Sequence, residues 1–422
     1  MRKIAMRTPF LVVVGALAVL PLPTAAQTCN ITLKDANIWT GAGYEKRSIA
    51  IKDGTFVAPA AGAAGVDASF LYLTPPFADA HNHRIDTAKP GDAIHTQALA
   101  QGIYYALNPN NIRPDGPSLT GTAGLVDLQS AGGGLTRPGG HPQPLYEGLA
   151  AGGILGDLTA ADLPGKAFHL AATPDEARAA VGKVKANGAA VIKLYLLDHD
   201  RPDGGDGLSA ESFTAAVAEA RRLGLLPIVH VESAADVRLA TAAKVHALVH
   251  LPYLIDKDRD VADLLLTAED AAALAANGIA VVPTVTLSHV TYDGEKLGTI
   301  QSVQRHNLKL LKDAGVRIGL GADRWTLNLH DELVFMRALA IFDGNDVINM
   351  ATANGAHIAF PGRKIGKIAE GYEASFLGWF RPLNRAWAEA REPVIGMRGG
   401  TLLNDGFALL AKACSSPEQV EP

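Results

Sequence analysis

At 422 residues, with 48% apolar and 19% charged side chains, the chain is long enough to bury a large core and too apolar for wholesale disorder. Its net charge of -5 disfavours nucleic acid as a partner. Its two cysteines, Cys29 and Cys414, cannot build a zinc site alone, although in an oxidising compartment they can pair as a disulfide.

The first 26 residues follow their own logic. Arg2, Lys3 and Arg7 make a basic start, residues 10–20 are small and apolar, Pro21 and Pro23 break the run, and Thr24-Ala25-Ala26 offers a small-residue cleavage site. The apolar run is too short to span a bilayer as a mature helix. The pattern predicts a signal peptide over 1–26, hence an exported chain, periplasmic or secreted, with no membrane segment after cleavage. Losing those three positive charges takes the net charge from -5 to -8.

From 28 to 73, β-like runs at 31–33, 36–39, 48–51 and 55–57 are punctuated by Gly41, Gly43, Asp53 and Gly54, which predicts a small β module. Pro75 and Pro76 then lead into Phe77-Ala78-Asp79-Ala80-His81-Asn82-His83. In an extended segment, His81 and His83 point to one face and can share a divalent ion. Residues 103–107 predict a strand. Residues 108–157 are rich in Gly, Pro and Asn, with one strand near 125–128, and predict functional loops.

Cleaner units follow. Thr173-Pro174-Asp175-Glu176 is a capping box with proline at the first helical position, and the helix it opens stops at Gly188 before a strand at 189–197. Ser209 opens a helix ending at Gly224, with a strand at 225–231. A helix at 232–244 precedes a strand at 245–251. Thr267 opens a helix to Gly278, followed by a strand at 279–285, and a helix at 302–315 precedes a strand at 316–321. This alternation, counted with the earlier strands, predicts a (β/α)8 TIM-like barrel over residues 76–358. Beyond 360 the texture is again β-like, at 368, 374–379 and 394–403. Residues 27–75 and 359–422 are therefore expected to form one small β-sandwich domain from both chain ends.

The strand ends carry the chemistry. Lys193 sits inside one apolar run, His230 and His250 end the next two, and Asp323 ends the last. With His81 and His83 these would converge on the C-terminal rim of a barrel, where catalytic residues sit. His141 in a Gly-Gly-His-Pro loop, Tyr195, His289 and Arg324 are the expected substrate contacts, the arginine suiting a carboxylate.

This set resembles the amidohydrolase superfamily, in particular its binuclear metal branch with prolidase-like and imidazolonepropionase-like members. The segments Thr352-Ala353-Asn354-Gly355-Ala356, Gly366-Lys367-Ile368 and Gly371-Tyr372-Glu373-Ala374 look like that family's C-terminal signature. The sequence departs from it where many relatives have Asn-Pro-Ala and Ala-Asp, reading Asn354-Gly355-Ala356 and Ala374-Ser375. The resemblance implies two divalent ions, most simply zinc, with carbon dioxide taken up by Lys193 as a bridging N6-carboxylysine. His81 and His83 would hold one ion with Asp323, and His230 and His250 the other. A metal-acidified water would attack the carbonyl of a small-molecule amide such as a dipeptide or N-acyl amino acid, and Asp323 would pass its proton to the leaving group. A lactone, cyclic imide or phosphotriester hydrolase uses the same centre, and a non-catalytic binding protein is a third reading. A one-metal deaminase fits less well, because Glu232 stands two residues after His230 rather than three. A homo-oligomer remains open.

Overall fold

The computed structural model describes residues 28–86, 91–112, 119–253, 260–406 and 408–414; the segment 1–26, read from the sequence as a signal peptide, lies outside them. Among the described residues no helix is long and apolar enough to cross a membrane.

The first five strands are β1 (Ile31–Trp39), β2 (Tyr44–Lys52), β3 (Thr55–Val57), β4 (Val66–Asp67) and β5 (Tyr72–Thr74). Asp53 and Gly54 join β2 to β3, both with positive φ (49° and 76°), as the tightest hairpin turn requires.

The barrel follows with β6 (Phe77–Asp79), β7 (Ile103–Asn108), β8 (Asp127–Ser130), β9 (Gly134–Thr136), β10 (Phe168–Leu170), β11 (Val191–Tyr195), β12 (Leu226–His230), β13 (Ala247–Val249) and β14 (Ala280–Val282). β6, β7 and β8 run parallel in one sheet, and β10-β9-β11-β12-β13-β14 in another. The third barrel strand bends between its two halves, so β8 pairs with β7 and β9 with β11. The eighth position is an extended segment held by a bridge between Val281 and Ile318. The Ala80 amide donates to the Leu320 carbonyl at 2.8 Å and closes the ring onto the first strand.

The chain re-enters the terminal sheet through β15 (Phe376–Trp379), β16 (Ile395–Arg398) and β17 (Thr401–Asp405). The order is β17-β16-β15-β5-β1-β2-β3, with β4 against β1, so both chain ends share one eight-stranded sheet. Its core mixes Leu33, Ile49 and Phe56 from the front of the chain with Phe376, Met397 and Leu410 from the back. A disulfide joins Cys29 to Cys414, whose Cα atoms are 4.9 Å apart. A cross-link separated by 385 residues restricts the unfolded chain strongly. Its reduction is expected to lower stability by roughly 2–5 kcal/mol, read as a lower melting temperature in reductant and in Cys414→Ser.

Local signals place most helices. Thr173 accepts from the Glu176 amide while Glu176 returns the bond to the Ala172 amide at 2.7 Å, and Gly188, Gly224, Gly278 and Gly315 stop four helices with positive φ. Two boundaries differ from the sequence reading. The helix expected at 302–315 runs Gly294–Asp313. The one expected at 232–244 runs Ala234–Ala242, because Ser233 and Asp236 form a capping box that leaves Glu232 outside it. Residues 108–157, read as loops with one strand, also hold β9 and the helix Gln143–Ala151. At Gly355 a Cβ would lie 2.3 Å from the Ala78 carbonyl oxygen, so the approach of β6 accounts for glycine.

Candidate metal centre

The first strand ends on a turn fixed by a buried acid. Asp79 accepts from the His81 amide at 3.3 Å, from Asn82 Nδ2 at 2.7 Å and from the Leu329 amide at 3.0 Å. Asn82 in turn accepts from the amides of Arg84 and Ile85. Both imidazoles are thereby aimed without using their own nitrogens. The eighth segment lies against this turn: a Cβ on Gly321 would meet the His81 amide nitrogen at 2.4 Å, so only glycine allows the close approach. His250, Thr284 and Asp323, which follow β13, β14 and the eighth segment, all have positive φ (84°, 50° and 51°). Backbone held in that region by non-glycine residues concentrates at functional sites.

These elements bring the expected ligands together. His81 and His83 each place Nε2 2.8 Å from Asp323 Oδ1, and His250 Nε2 lies 3.5 Å from Asp323 Oδ2. Ligand atoms of His81, His250 and Asp323 all fall within 4.8 Å of one another. The His230 ring centroid is 4.2 Å from that of His250. Thr284 Oγ1 pairs with His250 Nδ1 at 2.7 Å, which leaves Nε2 to face the centre. Lys193, 2% exposed, enters from the middle of β11 between Ile192 and Leu194, both 0% exposed, with Nζ 5.1 Å from the Tyr195 ring centroid. Room for it comes from Gly134, whose Cβ would stand 3.1 Å from Lys193 Cγ and 2.3 Å from the Tyr195 ring.

The protonation states suit metal ligation. Burial pushes His81 down to about 4 and His230 to about 3, and drives His250 well below the usual imidazole value. Burial lowers Lys193 to about 7 against the pull of Asp323. Burial would raise Asp323, but the imidazoles of His81 and His250 and the hydrogen bonds from His81 and His83 hold it well below the carboxylate range. The centre thus offers neutral imidazoles, an ionised carboxylate and an amine near neutrality, the forms that bind divalent ions. His81 Nδ1 is buried without a partner, and Nε2 carries the ring's contacts into the cluster. This donor set fits divalent metal.

A cavity of about 420 Å³ opens above the cluster. His141, Tyr195 and Arg324 line it as expected from the sequence, with the His141 ring 5.4 Å from His230. Tyr195 presents only its ring, because its hydroxyl donates to Asn110 Oδ1 at 3.1 Å. His289 does not line the cavity, which corrects the sequence reading: its ring packs 4.1 Å from Phe335 and its nitrogens face the Val285 carbonyl and the Gln301 amide. Tyr146, Tyr253 and Trp325 line it without having been foreseen. So does Glu232, whose Oε1 lies 2.9 Å from His230 Nε2.

A carboxylate accepting from Nε2–H fixes the tautomer of His230 and leaves Nδ1 as the basic nitrogen. Glu232→Ala is expected to weaken metal affinity by about 10- to 100-fold, as loss of an orienting partner does, while Glu232→Gln, which still accepts, stays near wild type. Competition with a chromogenic chelator measures both; equal losses would mean that the charge, not the tautomer, matters.

Comparison with known proteins agrees with this centre. The amidohydrolase family matches residues 171–403, more than half of the chain, so the chain belongs to that family and is a hydrolase acting on carbon–nitrogen bonds. No curated protein matches the sequence. Among solved structures, a Xaa-Pro dipeptidase with bound methionine in its active site aligns with TM-score 0.65 and 18% identity over 89% of this chain and 100% of that one. A. niger ochratoxinase aligns with 0.67 and 20% over 90% and 97%. Phenylurea hydrolase B aligns with 0.64 and 16% over 93% and 100%. At such identities these likenesses establish the fold, a TIM-like barrel with a separate terminal sheet.

Proposed function

We propose that the chain is an exported metal-dependent hydrolase that cleaves the amide of a dipeptide or an N-acyl amino acid. The observation that carries this reading is the convergence of His81, His83, His230, His250, Lys193 and Asp323 at one end of the barrel, with His81, His230 and His250 lowered, Lys193 brought near neutrality and Asp323 kept ionised. His81 and His83 with Asp323 would hold one divalent ion, zinc by its donor types, and His230 with His250 the other. Lys193 would join the two as its carbamate, formed with carbon dioxide by the neutral amine that burial favours. Bound there, the ions would acidify a water and polarise the scissile carbonyl. Asp323, kept ionised and in contact with His81, His83 and His250, would accept a proton and return it to the leaving amine. Arg324 lines the same cavity and suits the substrate's carboxylate.

Two features support export: the basic, apolar and small-residue pattern of residues 1–26, and the Cys29–Cys414 disulfide, which persists in oxidising compartments. The test is metal content per chain, followed by turnover of dipeptides and N-acyl amino acids beside lactones, cyclic imides and phosphotriesters. Turnover confined to the last three classes would overturn the amide assignment.

A further inference from the structure

One wall of the cavity is apolar in a way the hydrolytic groups do not use. Leu145, on the helix Gln143–Ala151, is 46% exposed, and Trp325, two residues beyond Asp323, is 40% exposed. Both line the cavity that holds His83, His230 and Asp323. Tyr146 belongs to the same lining, 3% exposed, with its ring 6.5 Å from that of Trp325 in an edge-on arrangement. The Trp325 ring also lies 6.2 Å from that of His83. The wall therefore runs from the barrel mouth down to the metal-ligating end. Isolated apolar side chains at a surface need no explanation, but large ones contiguous with a concave reactive site mark where a ligand covers them. The three other tryptophans, Trp39, Trp379 and Trp387, are buried at 4%, 1% and 7% exposure.

We infer that the site takes amides carrying a large apolar group, above all an aromatic ring, directly beside the scissile bond, and that Trp325 and Leu145 are the specificity-determining wall against which this group packs. The word amide rests on the proposed function; the apolar preference does not, because it is a property of binding. Small amides such as N-acetylglycine leave the wall wet and gain nothing from it. Offset or edge-on ring contacts with Trp325 and Tyr146 favour an aromatic over an aliphatic group of equal area.

Trp325 is the one exposed tryptophan of the chain's four, so it reports directly on occupancy. In the metal-loaded protein, 3-phenylpropionate and propionate are titrated while the long-wavelength edge of tryptophan emission is followed, and their affinities are checked by calorimetry. The phenyl compound is expected to bind at least about tenfold more tightly and to shift the emission, a shift absent in Trp325→Phe. Leu145→Ser and Trp325→Ser, both at exposed positions, should reduce the affinity ratio towards one; melting temperatures establish that each variant is folded. A parallel arm compares kcat/KM for N-acetylglycine, N-benzoylglycine and N-acetylphenylalanine. At least one aromatic substrate should lead by about tenfold, and which one leads tells which half of the amide meets the wall. Equal affinity for the two acids, or ratios untouched by both serine variants, would overturn the inference. Preferential binding of the phenyl acid without any amide turnover would uphold it and overturn the proposed function. Amide turnover without an aromatic preference would do the reverse.

Discussion

Replacing Lys193 by alanine is expected to reduce bound metal from two ions per chain to one or none and to lower kcat by about a thousandfold or more, because activation of the attacking water depends on the complete centre. The argument begins with cost. A charged ammonium at 2% exposure is expensive, and burial brings Lys193 down to about 7 with only Asp323 pulling it back. Its positive charge also opposes protonation of His81, His230 and His250, so an ammonium here works against the site's cations and gains little for the fold. As an anionic carbamate the same side chain would become a ligand. Formate, acetate and propionate should therefore partly restore turnover in the alanine variant by standing in for the lost carboxylate. Lys193→Met, which keeps most of the volume, separates this role from a structural one. Its metal-free melting temperature should hold or rise while metal binding is lost. Two bound ions and near-normal turnover in Lys193→Ala would sink the carbamate bridge, whereas one ion per chain in wild type and variant alike, with turnover kept, would favour a one-metal centre on His81, His83, His230 and Asp323.

The convergence of these side chains was legible in the sequence because each ends or interrupts an apolar run, and the parallel barrel turns "end of a strand" into "same rim". His81 and His83 needed only the two-residue period of an extended chain, and Lys193 stood out as a charge between Ile192 and Leu194. The misses share a cause, since they depend on which helix face meets which neighbour. His289 follows its strand as the clustered histidines do, but the helix Leu329–Ala338 brings Phe335 against its ring, and no local pattern encodes that contact. Glu232 was assigned to a helix, and only the capping box of Ser233 and Asp236 frees it to reach His230. Leu145 and Trp325 occupy loop-textured sequence where apolar residues have no periodicity to betray a shared wall. The strand expected at 316–321 is instead an extended segment with one bridge and a few backbone bonds around Ile318 and Leu320, where the glycines at 319 and 321 leave room for Ile358 and His81.

The metal-free protein should lose stability continuously as pH falls from about 6.5 towards 5. His81, His230 and His250 take up a proton near 6.5 in the unfolded chain. In the folded chain burial delays this to about 4 for His81 and about 3 for His230, and well below the usual value for His250. Between those limits the unfolded state binds more protons than the folded one, so stability falls as pH falls. Each such group contributes roughly 1 kcal/mol per pH unit below 6.5, so the three together contribute on the order of 3 kcal/mol between pH 6.5 and 5.5. Lys193 acts with the same sign in a higher window: its unfolded value of 10.5 exceeds the folded value of about 7, so stability also declines from alkaline pH down to neutrality. His169 and His330, each lowered by burial to about 4, add to the acid limb from outside the centre. Substitution isolates the site's share. With EDTA present, a variant carrying Asn at positions 81 and 230 should show a pH slope below 6.5 smaller by about 1 kcal/mol per unit for each histidine removed, since asparagine does not titrate. Chemical denaturation at half-unit steps from pH 7 to 5 measures it. An unchanged slope would mean that these imidazoles are already protonated in the folded metal-free chain, and the neutral, ligand-ready cluster on which the proposed centre depends would not exist.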